Sequence, residues 1–219
     1  MGLAATSEVN ANLASPGFWD DEWAGVRLPC MLYQDSYFGS CFDRVFRKHL
    51  LKGKKSLFEV GCAPGRFLIH FANEFNYAVS GIEFSRGGHL KTLDNLSLSG
   101  VQANIMRGDF MKVDLRGHHY DVVFSAGFIE HFLKPHQVVE KKLSLLKPGG
   151  ELLTTVPNFA GLFGMVRKIM DRDLYDRHVI LTLNTLRQRI ASVAPRAGPA
   201  FRMGSSQSGC GHIDAACNA

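Results

Sequence analysis

From residue 56 onward, short apolar runs alternate with longer segments whose apolar positions recur every three or four residues. The first pattern suits strands buried on both faces, and the second suits amphipathic helices. Ser56–Val60, Tyr77–Ile82, Val101–Met106, Tyr120–Ser125 and Glu151–Val156 read as strands. Between them, Gly65–Phe75 reads as a helix carrying Phe67, Leu68 and Phe71, and Arg86–Ser97 reads as another. Pro135 sits where a first helical turn tolerates proline; that helix runs to about Leu146, and Lys147-Pro148-Gly149-Gly150 breaks it. Strands and helices in this order predict right-handed parallel crossovers. The expected fold class is α/β, with a doubly wound, mostly parallel sheet.

The flanks are patterned differently. Residues 1–54 combine a loop-like leader, with Phe18, Trp19 and Trp23 close together, and a covering helix in which Phe38, Cys41, Phe42, Val45, Phe46 and His49 share a face. Arg44, Arg47 and Lys48 fall mainly on the other side. Residues 55–191 hold the α/β domain, closing with a helix over Leu181–Ile190. Residues 192–219 are rich in glycine, alanine, serine and proline, and are expected to be an irregular or divergent tail.

Composition changes this picture little. A chain of 219 residues, 46% hydrophobic and 21% charged, can bury a single sizeable core. The net charge of +5 comes without an arginine-rich tract, so nucleic acid is an admissible partner but not the favoured one. Five cysteines, at positions 30, 41, 62, 210 and 217, form no regular framework. Cys210, His212 and Cys217 lack the second cysteine pair of a zinc site, and no metal is expected. There is no signal-peptide pattern and no apolar run able to span a bilayer, which makes a reducing cytoplasm the default expectation. Oligomeric state stays open.

The chemistry concentrates at strand ends. Leu57-Phe58-Glu59-Val60 runs into Gly61-Cys62-Ala63-Pro64-Gly65, and Glu83 follows the second strand in Gly81-Ile82-Glu83. Glycines there permit a tight exit from the strand and close approach of backbone to a ligand. Glu59 is a carboxylate in an apolar run and needs a cationic or hydrogen-bonding partner. Glu83 can accept from two neighbouring hydroxyls at once. Arg107-Gly108-Asp109-Phe110 follows the third strand, and Ser125-Ala126-Gly127-Phe128-Ile129-Glu130-His131-Phe132 extends the fourth. A nicotinamide dinucleotide fits poorly. The G-x-G-x-x-G spacing is missing, and an acid before Gly61 would repel a diphosphate.

Over roughly residues 55–157, this ordered set resembles the class I S-adenosylmethionine-dependent methyltransferases, with a core similar to that of quinone-biosynthesis O-methyltransferases. The resemblance implies a Rossmann-like sheet and S-adenosyl-L-methionine as cofactor. It implies that Glu59, Gly61, Cys62, Ala63 and Gly65 hold the aminoacyl end and Glu83 the ribose. Phe84, Asp109 and Phe110 then take the adenine, and Ser125, Ala126 and Gly127 form the floor between methyl donor and acceptor. His131, just past strand four, is the candidate catalytic base. A small organic or lipid-like acceptor is expected, methylated by in-line displacement. An RNA or protein methyltransferase is the alternative, as is a cofactor-binding scaffold with little transferase activity. In the family, an antiparallel strand pair completes the sheet; here residues 192–219 make that pair look incomplete or divergent.

Overall fold

The computed structural model describes residues 12–159, 162–193, 202–207 and 212–218. Helix α1 (Pro16–Ala24) is followed by α2 (Tyr37–His49), β1 (Ser56–Val60), α3 (Arg66–Phe75), β2 (Ala78–Glu83), α4 (Arg86–Leu98) and β3 (Asn104–Arg107). Then come β4 (Tyr120–Ala126), a single 3₁₀ turn (Ile129–His131), α5 (Pro135–Leu143) and β5 (Leu146–Pro157). The remaining elements are α6 (Leu162–Met170), α7 (Arg172–Asp176), α8 (Leu183–Val193), β6 (Arg202–Gln207) and β7 (His212–Asn218).

One sheet runs in the order β3-β2-β1-β4-β5-β7-β6. The first five strands are mutually parallel, β7 is antiparallel to β5, and β6 is antiparallel to β7. This is the doubly wound α/β fold that the alternating pattern predicts. Chain order reverses between β1 and β4, so the loops leaving these two strands part and open a crevice at their carboxyl ends.

Alternation along the central strands feeds two separate cores. Leu57, Val122, Phe124 and Leu153 face α2 and α3, packing on Phe42, Phe46, Leu68 and Phe71. Phe58, Val123 and Leu152 face the other side, against Val138 and Val139 of α5 and Leu186 and Ile190 of α8. On the first side, Phe46 lies 4.5 Å from Phe71 and 5.3 Å from Phe124, centroid to centroid. Such tilted and edge-on rings are each worth about 0.5–1.5 kcal/mol beyond the area they bury.

Helices α6 and α7 are not among the elements expected from the sequence, and three further differences bear on the sheet and the site. The Lys147-Pro148-Gly149-Gly150 segment does not precede β5 but lies inside it. A register shift between Tyr120 and Val122, with Gly149 at φ +78°, lets the strand continue through it. The leader contains a helix, α1, whose nine residues are too few to show a period; Ser15 caps it by accepting from the Phe18 N–H, and Pro16 opens it. The largest correction concerns the tail: residues 192–219 are not irregular throughout, and the antiparallel pair is present as β6 and β7. Segments such as Met203-Gly204-Ser205-Ser206 and Asp214-Ala215-Ala216-Cys217 carry no apolar alternation. Their strand state comes from pairing with β5, from Glu151↔Asn218 to Pro157↔His212, rather than from propensity.

Candidate functional site

The carboxyl ends of β1, β2 and β4 surround a cavity of about 100 Å³. Gly61, Ala63, Glu83, Phe84, Ala126 and Gly127 form its base and one wall, and Phe128, His131 and Phe132 form the opposite wall. Asn12, Trp19 and Trp23 roof it. A smaller adjoining cavity continues past Phe84 and Phe128 to Gly108, Asp109 and Phe110. Of the residues expected to hold a cofactor, Glu59, Cys62, Gly65 and Ser125 stand behind the lining instead.

The glycine turn is shaped by real steric demands. Gly61 has φ +73°, and a Cβ placed on it would lie 2.7 Å from the Phe128 ring. Gly65, at φ +90°, caps α3, and a Cβ there would press on Thr92 at 3.2 Å. Asn95 of α4 fixes the turn from outside, donating to the carbonyls of Pro64 and Cys30 and accepting from the Cys30 N–H.

Two carboxyl groups lie behind this turn. Glu83 accepts from the Ala63 N–H at 3.2 Å and the Ser85 N–H at 3.0 Å, which ties the end of β2 to the glycine turn. Burial nevertheless raises its pKa, against the pull of these N–H groups. Glu59 is buried, and its Oε2 has no hydrogen-bond partner among the described residues. Burial, and next the nearby Glu83, push its pKa well above the usual carboxylate range, with Arg66 opposing. Neither acid forms an ion pair among the described residues, and the cation that acts on Glu59 electrostatically is Arg66. Burial, with the same two carboxylates, also pushes the Cys62 thiol up, so it packs as a small apolar group rather than a nucleophile. S-adenosylmethionine, with an ammonium and a sulfonium, brings the positive charge that this pocket is missing, and the residues present fit it.

Asp109 accepts from the Met111 N–H at 2.9 Å, and Phe110 is buried edge-on to Phe128, with centroids 5.9 Å apart. Ser125 turns its hydroxyl away from the cavity to accept from the buried Lys142 ammonium at 2.6 Å, and Thr154 accepts from the same ammonium. Only the backbone neighbours Ala126 and Gly127 reach the cavity.

His131 sits in the wall, 3% exposed, and its Nδ1 lies 3.0 Å from the Arg177 carbonyl. A carbonyl only accepts, so Nδ1 carries the proton and Nε2 the lone pair. Burial, and next the proximity of His178, push its pKa down to about 3. It is a neutral hydrogen-bond acceptor at physiological pH. His178 lies 4.3 Å from it, ring to ring, and Trp19 meets it edge-on at 4.9 Å.

The roof is held by contacts that sequence spacing does not reveal. The Asp20 carboxylate accepts from the Gly87 N–H at 2.5 Å, and Lys91 donates to the carbonyls of Ala24 and Val26. A Cβ on Gly88 would strike Trp23 at 2.6 Å, so the Gly87-Gly88 pair is what allows α1 to lie against α4. The Arg177 guanidinium covers the Phe18 ring at 4.6 Å, and the Leu13 N–H donates to the His131 carbonyl. Trp19, Trp23 and Asn12 are the cavity residues that the motifs did not supply; the only trace of them in the sequence was the aromatic cluster of the leader.

Residues 57–150 match the methyltransferase-domain family model. Residues 57–150 thus form a methyltransferase domain, and the sheet around them has the class I methyltransferase fold. It is 29% identical over 119 residues to a protein-lysine N-methyltransferase of Saccharolobus islandicus, an alignment covering 51% of this chain and 71% of that one. Among solved structures, the PH0226 protein of Pyrococcus horikoshii superposes with a TM-score of 0.70 at 15% identity, over 90% of this chain and 98% of the other. Phosphoethanolamine N-methyltransferase 2 of Haemonchus contortus gives 0.62 at 17% identity, over 77% of this chain and 38% of that larger one. The crevice of this methyltransferase domain lies under an aromatic roof. No helix among the described residues is long and apolar enough to cross a membrane.

Proposed function

We propose that this methyltransferase moves a methyl group from S-adenosylmethionine to the ε-nitrogen of a lysine side chain in a polypeptide. The observation that carries the reading is the narrow cavity walled by Trp19, Trp23, Phe128, Phe132 and His131, which suits a slender chain ending in an amine. The likeness to a protein-lysine N-methyltransferase supports the same acceptor class. In this reading Glu59 and the Gly61–Gly65 turn hold the aminoacyl end of the cofactor, and Glu83 its ribose. Asp109, Phe84 and Phe110 take the adenine.

When bound, the cofactor supplies an electrophilic methyl group already activated by its sulfonium. The chain's own task is positioning and the exclusion of water. The aromatic walls keep the amine desolvated and favour its neutral form, whose lone pair attacks in line with the methyl–sulfur bond. The new N–C bond forms as the S–C bond breaks, leaving S-adenosylhomocysteine. The amine proton passes to solvent, and the Nε2 lone pair of His131 orients the nitrogen by accepting one of its hydrogens. With its low pKa, His131 orients the acceptor more than it stores the proton.

The apolar lining also favours a second reading, a small apolar acceptor such as a phenol or quinol. S-adenosylhomocysteine release, measured with lysine-containing peptides and with a panel of phenols and quinols, separates the two. Turnover with peptides, lost when lysine is replaced by arginine, supports protein methylation. Turnover confined to phenols or quinols overturns it.

A further inference from the structure

Beside the acceptor cavity, Glu130, His131 and His178 come together. One ligand atom from each lies within 4.8 Å of the other two. Glu130 and His131 sit in the 3₁₀ turn after β4, while His178 follows α7, with 46 intervening residues between His131 and His178. Main-chain bonds fix the junction: the Val179 N–H donates to the Glu130 carbonyl at 2.6 Å.

Two features set this cluster apart from an accidental grouping. The Glu130 side chain is buried, and neither of its carboxylate oxygens has a hydrogen-bond partner among the described residues. The N–H group of Glu130, the Lys142 ammonium and the Phe128 N–H favour its charge only in part, and the two imidazoles lie within ligand reach of it. The imidazoles are also oriented by their surroundings. His131 directs Nδ1 to the Arg177 carbonyl, and His178 directs Nδ1 to the Leu174 carbonyl at 2.5 Å. Metal-binding histidines are typically held in this way, one ring nitrogen on a carbonyl and the other on the ion.

We infer that Glu130, His131 and His178 form a binding site for a divalent transition-metal ion of the zinc or cobalt class. Two imidazoles and one carboxylate are a borderline donor set that prefers such ions to magnesium or calcium. Bonds of about 2.1 Å at tetrahedral angles put ligand atoms roughly 3.4 Å apart, so side-chain shifts of about an ångström close the present separation. Three protein ligands leave a coordination position open, and His131 places the ion at the wall of the cavity. The ion takes the Nε2 lone pair that otherwise faces the acceptor. On the function proposed above, metal loading competes with amine binding at His131. The binding itself does not depend on which acceptor the enzyme uses.

The test is titration of the full chain with Co²⁺ after removal of metal with a chelator, following visible ligand-field absorption. S-adenosylhomocysteine binding is measured separately on the same samples. One equivalent of Co²⁺, displaced by Zn²⁺ and weakened at least about tenfold in both His178→Ala and Glu130→Gln, is the expected result. His178 is only half-buried, so its variant keeps the test meaningful if the Glu130 variant fails to fold. Cys30→Ser, Cys210→Ser and Cys217→Ser address the thiols other than the buried Cys41 and Cys62, and are expected to leave the signal unchanged. A folded, S-adenosylhomocysteine-binding protein with no Co²⁺ signal overturns the site. So does a signal that survives in His178→Ala and disappears with the cysteines. Loss of S-adenosylhomocysteine binding with the Co²⁺ signal intact would count against the cofactor reading alone.

Discussion

The two ends of the cavity are built on different principles. At the strand-end side, each lining group is the last residue of a parallel strand or one of the first after it: Gly61 and Ala63 after β1, Glu83 and Phe84 at the end of β2, Ala126 and Gly127 at the end of β4. Their spacing is set by the β–α repeat itself, so it is local in sequence. At the other end, Asn12, Trp19 and Trp23 share a cavity with His131, and Trp19 meets the His131 ring from more than a hundred residues away in the chain. The first end is backbone geometry with two acids behind it; the second is aromatic packing held by a few capping contacts. On the proposed function, the strand ends hold the cofactor and the aromatic roof faces the acceptor.

Substitutions sharpen that contrast. Gly61→Ala places a methyl at positive φ and against the Phe128 ring, and is expected to weaken S-adenosylhomocysteine binding roughly 100-fold, or about 2.7 kcal/mol, by calorimetric titration. Glu83→Ala removes charge-assisted bonds and frees the Ala63 N–H; a loss of roughly 10- to 100-fold is expected in the same experiment. Unchanged affinity in both would dissolve the distinction between the two ends.

At the roof the effect moves to the other ligand. Trp19→Ala is expected to raise the acceptor KM roughly fivefold while leaving cofactor affinity within about twofold. An equal loss in both constants would mean that α1 closes over the cofactor as well.

The smallest effect is one of stability. Burial holds the folded-state pKa of Glu59 above its unfolded value, so the folded protein keeps the proton more tightly. The stability this contributes is complete below the unfolded pKa and is lost as pH rises through the raised folded value. Glu59→Gln, which cannot ionise, is expected to raise the Tm of the cofactor-free protein by about 2–4 °C at pH 8, with the gain shrinking toward pH 4. Differential scanning calorimetry at the two pH values checks it. On the proposed cofactor placement, the same variant binds S-adenosylhomocysteine less tightly, since the Glu59 carboxylate would meet the ligand's ammonium.

The parallel sheet and its glycine turn were legible in the residues of the chain because local patterns announce them, even though the strands pair over long range. Strand-length apolar runs and three-to-four periodicity report burial directly, and a glycine before a helix reports a backbone that must approach something closely. The α2 helix was legible for the same reason, since its aromatic face alone requires a partner layer. Tertiary structure decided the rest. β6 and β7 are strands because the free edge of β5 offers them hydrogen-bond partners, a cause that leaves no mark on their own small and polar residues. Trp19 and Trp23 became a roof because Gly87 and Gly88 give α1 room on α4, which only the packed pair of helices expresses. Glu130 and His178 were ordinary polar residues until the fold buried one and brought the other beside His131. Desolvation and convergence are properties of position in space, and sequence spacing does not encode them.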